Sequence, residues 1–161
     1  MAERTTPDKW ERRYYLLAHH IASWSKDPST RVGAVVFGKD PREHCFGYNG
    51  FPPGLDDAPA LYANRDMKYR RVQHAERNAL DNARFSCVGG TLATTMFPCI
   101  ECAKSIISKG ITKVITPRPP EPIAEPTWRD DCGYSVDMFR EVGIEIVWMP
   151  EETALHYPFE K

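Results

Sequence analysis

"FPCIECAKSIISKG", residues 97–110, places two cysteines three positions apart behind a proline and closes on a glycine. Pro98 stands where a helix start tolerates proline and Gly110 where a helix stops, so the stretch predicts a short helix. It is flanked by "GGTLATTMF" (89–97) and "ITKVITP" (111–117), both of which read as strands. A strand, a crossing helix and a second strand pair in parallel. Downstream the alternation continues, with "YSVDMFREVG" (134–143) as helix and "IEIVWMP" (144–150) as strand.

Upstream the order differs. "RVGAVVFG" (31–38) and "EHCFGYNG" (43–50) read as two strands separated by a turn, which predicts an antiparallel edge. "DKWERRYYLLAHHIASWS" (8–25) is helical, with Asp8 as its N-cap and Trp10, Tyr14, Leu17, Ile21 and Trp24 along one face. "QHAERNALDNAR" (73–84) is a helix that opens at its His-Ala-Glu end. "GFPPGLDDAPALYANRDMKY" (50–69) reads as a long loop, of a length that usually signals function. "PRPPEPIAEPTWRDD" (117–131) reads as a proline-rich connection, neither helix nor central strand. The expected fold is therefore an α/β helix/sheet/helix sandwich of three layers around a five-stranded mixed sheet. It is expected to form one domain over residues 1–161, with its core at about 8–149 and a tail at 150–161.

Composition narrows the function classes. The chain has 161 residues, 42% hydrophobic and 27% charged, which is ordinary for a globular domain with a core. No apolar run approaches the ~20 residues that span a bilayer, and the N-terminus lacks the apolar region of a secretory signal. A cytoplasmic protein with no membrane partner is expected. The formal net charge is -1 and the only basic cluster is "MKYRR" (67–71), so a polymeric nucleic-acid partner is not called for.

The odd count of five cysteines argues against a disulfide framework. That leaves redox chemistry or metal for Cys99 and Cys102. His74-Ala75-Glu76, at the mouth of the preceding helix, favours metal. Two helix N-termini on the same side of a sheet bring His74, Cys99 and Cys102 to one point, and they stabilise thiolates there. Two thiolates and one imidazole suit Zn2+ and leave a fourth position open to water. A closed structural site needs a fourth ligand, for which His44, Cys45 and Cys132 are the candidates. Glu76, two residues past His74, is placed to take a proton from that water without binding metal.

His-x-Glu followed by Pro-Cys-x-x-Cys is the signature of zinc-dependent nucleoside deaminases. Within them, "SKDPSTRVGAVV" (25–36), "GYNGFPPG" (47–54), "HAERNAL" (74–80) and "FPCIECAKSIISKGI" (97–111) closely resemble the deoxycytidylate (dCMP) deaminase family. The resemblance covers most of residues 8–149. It implies hydrolysis of dCMP to dUMP and ammonia, with attack at ring carbon 4 and Glu76 carrying the proton to the ring nitrogen and then to the leaving amine. It further implies that Asn49 hydrogen-bonds the sugar or base. Ala75 and the carbonyls before Pro98 would hold the pyrimidine edge, and Phe97 or Trp128 would pack on the ring. For the phosphate, Lys26 and Arg31 are the candidate cations, with Ser25 and Ser29 as hydroxyl donors.

The resemblance also implies a homo-oligomer, a hexamer by preference, and names dCTP and dTTP as candidate effectors. The wide apolar face of the first helix and Tyr157 and Phe159 in the tail agree with an interface. Two features depart from the family: the loop between Asn49 and His74 is short and shows no second zinc site, and the proline-rich segment 117–127 is unusual. Three rival readings stand. One is a deaminase of another base or nucleotide: 5-substituted dCMP, dCTP, cytidine, guanine or tRNA adenosine. Another is a non-catalytic zinc- or nucleotide-binding module of the same fold. The third is a thiol redox protein, against which the His-x-Glu motif argues.

Overall fold

The computed structural model of the chain describes residues 3–119 and 126–151, the side chains of 126–128 excepted. The strands are β1 (Glu3–Arg4), β2 (Gly33–Phe37), β3 (His44–Tyr48), β4 (Thr91–Thr94), β5 (Lys113–Pro117) and β6 (Glu145–Met149). The helices are α1 (Lys9–Ala22), α2 (Pro59–Ala63), α3 (Arg65–Arg71), α4 (Ala75–Asn82), α5 (Ile100–Ser108) and α6 (Pro126–Val142).

The sheet runs β1-β6-β5-β4-β2-β3. β4, β5, β6 and β1 are parallel, while β2 is antiparallel to both β3 and β4. The mixed sheet with an antiparallel edge is thus present as expected, but it has six strands rather than five. The added strand, β1, has two residues, too few for any alternation to be read. It pairs with β6, and Glu3 fastens it by accepting hydrogen bonds from Arg140 and from the Trp148 indole.

The layers follow from the pleat, because successive side chains of a strand face opposite sides. Val35, Ala93, Ile115 and Val147 face α1, where Tyr15, Ala18 and Ile21 meet them. Ala34, Val36, Leu92, Val114 and Ile146 face the other way and bury Ala75, Ala79, Leu80, Ile106 and Phe139. α4 lies so close to β3 that a Cβ on Gly47 would sit 2.3 Å from the Ala75 carbonyl oxygen and 2.4 Å from the Ala79 nitrogen. Glycine at 47 is what lets the helix carrying His74 and Glu76 settle on the sheet. Gly110 ends α5 with a φ of +78°, the left-handed conformation that glycine adopts without strain.

α1 begins as expected on Asp8, in a capping box with Glu11. Its buried stripe is rotated from the expected one. Trp10 and Trp24 are 57% and 50% exposed, and Glu11 goes inside with Tyr15, Ala18, Ile21 and Ala22. Two cations offset the cost of burying Glu11: its Oε1 accepts from Lys113 Nζ at 2.9 Å and from Arg4 Nη2 at 2.5 Å. Burial alone would push the Glu11 carboxyl up, but these two cations and the Asp8 amide bring it down to about 2.

Two expected connections are corrected. The segment 50–69 is not structureless: it folds into α2 and the start of α3. Gly50 and Gln73 pair across its base, and Phe51 stacks on the buried Tyr62 with centroids 4.1 Å apart. The proline-rich segment 117–131 is partly helical, since α6 begins at Pro126, a residue tolerated in a first turn. Residues 120–125 lie outside the described residues, as do Tyr157 and Phe159 of the tail. No described helix is long and apolar enough to cross a membrane.

Candidate active site

His74 is the N-cap of α4 and Cys99 the N-cap of α5, and neither side chain caps its helix. Each is therefore free to point outward from a helix start. α5 follows β4 directly, so its first turn lies at the carboxyl end of that strand, facing the start of α4. Cys99 Sγ and Cys102 Sγ each approach His74 Nδ1 to 3.4 Å, and the three donor atoms lie within 4.8 Å of one another.

Two sulfurs and one nitrogen converging on one point fit Zn2+. No fourth His, Cys, Asp or Glu completes the set among the described residues, which leaves a coordination position open. His44, Cys45 and Cys132 do not join it. Cys132 is buried nearby on α6, and burial first and then the Asp131 and Cys99 charges push its thiol up to about 11. The hydrogen bond from Cys102 and the contact with His74 push the Cys99 thiol down, while the pairing with Cys99, burial and the Glu76 charge push the Cys102 thiol up. Zn2+ held there would need both sulfurs as thiolates, the ligand form.

Glu76 is 4% exposed. Its Oε1 accepts from the Thr94 hydroxyl at 3.3 Å, and its Oε2 lies 3.7 Å from Cys102 Sγ. Burial pushes the Glu76 carboxyl up, which favours a group that can hold a proton. Thr94, the last residue of β4, was not anticipated as a partner of Glu76; nothing in its local sequence marks it.

A cavity of about 640 Å³ opens over these groups, lined by His74, Ala75, Glu76, Phe97 and Cys99 together with Asn49, Asp27, Thr30 and Val32. Phe97 is buried and stacks on Trp148 at 5.6 Å. Asn49 has its amide largely committed. Its Oδ1 accepts from the Val32 amide at 2.8 Å, and its Nδ2 donates to the Thr30 carbonyl at 2.8 Å and to Asp27 at 3.3 Å.

Other expected residues fall elsewhere. Ser25 is buried and its hydroxyl donates to the Asn49 carbonyl. Lys26 is exposed and pairs with Asp57, and Arg31 is exposed and donates to the Asp27 carbonyl; neither lines the cavity. Ser29 accepts from Lys68 and donates to Asp27. The side chain of Trp128 lies outside the described residues.

The cations that do line the cavity are Arg65 and Lys68 of α3. Lys68 Nζ sits 2.7 Å from Oδ2 of Asp27, whose side chain is fully buried. Burial alone would raise the Asp27 carboxyl; Lys68 and the Ser29 and Thr30 amides outweigh that and hold it below the ordinary carboxylate range. The signal for α3 was present in "MKYRR", the only basic cluster of the chain. Its place on a cavity wall could not be read without the fold.

Residues 8–117 match the family model described as "Cytidine and deoxycytidylate deaminase zinc-binding region". Among curated proteins, the chain is 41% identical over 142 residues to an uncharacterized deaminase in the luxG 3'region of Aliivibrio fischeri, covering 88% of this chain and 95% of that one. It is 37% identical over 113 residues to the deoxycytidylate deaminase of Homo sapiens, covering 66% of this chain and 64% of the human one. Less than two thirds of the human protein's length is thus matched. Among solved structures, the apo dCMP deaminase of the cyanophage S-TIM5 superposes with a TM-score of 0.67 at 24% identity, covering 89% of this chain and all of that one, and shares its fold.

Proposed function

The chain belongs to the cytidine and deoxycytidylate deaminase family, whose chemistry is zinc-dependent hydrolytic deamination, and from that premise we propose that it converts dCMP to dUMP and ammonia. The observation that carries the reaction is the position of Glu76. Its carboxylate shares the cavity with His74 and Cys99 and lies against Cys102, yet stands outside the donor set. A module that only bound zinc would have no use for a buried carboxylate there, since burying one costs free energy.

When bound by His74, Cys99 and Cys102, zinc supplies the acidity that makes water a nucleophile near neutral pH. Glu76 takes the proton of the attacking water, passes it to the ring nitrogen, and then protonates the departing amine. The Thr94 hydroxyl, 3.0 Å from the Met96 carbonyl and 3.3 Å from Oε1, borders the carboxylate on one side, and Oε2 is the oxygen on the Cys102 side. Ala75 and Phe97 wall the pyrimidine, and Asn49 offers the remaining lone pair of its Oδ1 to a substrate hydroxyl. The balance is water plus cytosine base giving uracil base plus ammonia.

The deoxycytidylate assignment rests on the curated relatives that carry that name and on the sequence stretches that resemble them. Two further elements complete the reading. The exposed Trp10 and Trp24 of α1 support a homo-oligomer. A cytoplasmic setting suits a chain whose five cysteines are all free thiols. Ammonia release from zinc-loaded protein, measured on dCMP, CMP, dCTP, deoxycytidine, 5-substituted dCMP and guanine, tests the assignment. dCMP is expected to give the highest kcat/KM; a higher value for another member of the panel would replace it.

A further inference from the structure

Four of the seven residues of α3 are cations: Arg65, Lys68, Arg70 and Arg71. Their surroundings separate them. Arg70 pairs with Asp66 at 2.9 Å on the exposed face, and Arg71 reaches the Asp56 carbonyl at 3.5 Å. Arg65 and Lys68 line the same cavity as the metal donors.

Lys68 gives two of its three ammonium hydrogens to Asp27 and Ser29, which pins the nitrogen and leaves the third donor unused. Its charge is balanced by Asp27. Arg65 has no carboxylate or carbonyl partner among the described residues, and its guanidinium lies 5.3 Å over the Tyr69 ring. An aromatic face steadies a guanidinium without using its N–H donors. The cavity wall therefore presents one uncompensated, pre-oriented fork beside one fixed ammonium hydrogen.

We propose that Arg65 and Lys68 form an anion subsite that receives the 5'-phosphate of the substrate, with Arg65 as the bidentate donor and Lys68 as the point contact. This rests on the monophosphate reading above, and it moves the phosphate from the 25–31 turn, where Lys26 and Arg31 are exposed and do not line the cavity, to α3. A planar fork matches two phosphate oxygens, which a single ammonium does not. The ligand class is a nucleoside monophosphate, because the helix supplies one free charge rather than a cluster. The subsite makes α3 the element that separates a nucleotide from a nucleoside.

The test compares kcat/KM for dCMP and for deoxycytidine in the wild type and in Arg65→Ala, Arg65→Lys and Arg70→Ala. In Arg65→Ala the ratio of dCMP to deoxycytidine is expected to fall about 10- to 100-fold, the range for a charged hydrogen-bonded contact. The fall should appear in KM. Arg65→Lys should recover part of it, and Arg70→Ala should leave the ratio level. A ratio unchanged in Arg65→Ala, or a fall that appears instead in Lys26→Ala or Arg31→Ala, overturns the subsite. If the wild type shows no preference for dCMP, the substrate reading fails by itself, and binding of inorganic phosphate then judges the subsite. Phosphate bound by the wild type and lost in Arg65→Ala upholds it; equal or absent binding in both overturns it.

Discussion

Replacing Glu76 by Gln removes proton transfer and little else. Gln has nearly the same shape, and its amide oxygen can still accept from the Thr94 hydroxyl that borders Oε1 in the native site. No metal donor is touched. The size of the effect follows from what else lines the cavity. Asp27 is fully buried and paired with Lys68, and His74 and Cys99 belong to the group that could hold a metal ion. Among the described lining residues no other carboxylate can take over the shuttle. The full general acid/base contribution, about a hundredfold to ten-thousandfold, should be lost. This corresponds to roughly 3 to 5 kcal/mol of transition-state stabilisation. The assay is single-turnover ammonia release, with zinc content and melting temperature measured on the same sample. Zinc and melting temperature should match the wild type while kcat collapses. A loss under about tenfold would refute the role of Glu76, since general acid/base groups contribute more than that. A loss of zinc alongside activity would show instead that the carboxylate supports the metal.

Cys99→Ser should lose most bound zinc together with activity, because serine is a poor substitute for thiolate; elemental analysis showing full zinc in that variant would displace the donor set. Glu11 sets a pH dependence. Its folded value of about 2 lies below the ordinary 4.5, so its contribution is present above pH 4.5 and is lost as pH falls toward 2. The shift corresponds to roughly 3 kcal/mol. Glu11→Gln should therefore be destabilised at neutral pH, with the gap to wild type in chemical denaturation narrowing in acid; a gap that is constant with pH contradicts the ion-pair account. Sedimentation at micromolar concentration should show a homo-oligomer, and a single species near the 18.4 kDa chain mass would leave Trp10 and Trp24 as ordinary exposed side chains.

What could be read in the sequence was what is local. Asp8, His74, Cys99 and Gly110 act within a turn of their own positions, so spacing sufficed to place them at helix ends. The strands β2 to β6 announced themselves by Val-rich runs and by alternation with helices. What was missed depends on distant partners. The rotation of α1 that buries Glu11 needs Lys113, 102 positions away, which no periodicity reveals. α2 and α3, with five and seven residues, are too short for a helical pattern to rise above the Pro, Gly and Asp around them. Lys26 and Arg31, near the motif residues in sequence order, are exposed and do not line the cavity, whereas Arg65 and Lys68 do. Asn49, expected to hydrogen-bond the sugar or base, lines the cavity, and most of its amide serves the 27–32 turn.

The most direct test of the whole account is the conversion of dCMP by zinc-loaded protein, followed by chromatography of the nucleotide and by ammonia release. The account predicts equimolar dUMP and ammonia, lost when the metal is chelated and restored by added zinc. Absence of dUMP while another base in the panel releases ammonia, or turnover that persists without metal, would contradict it.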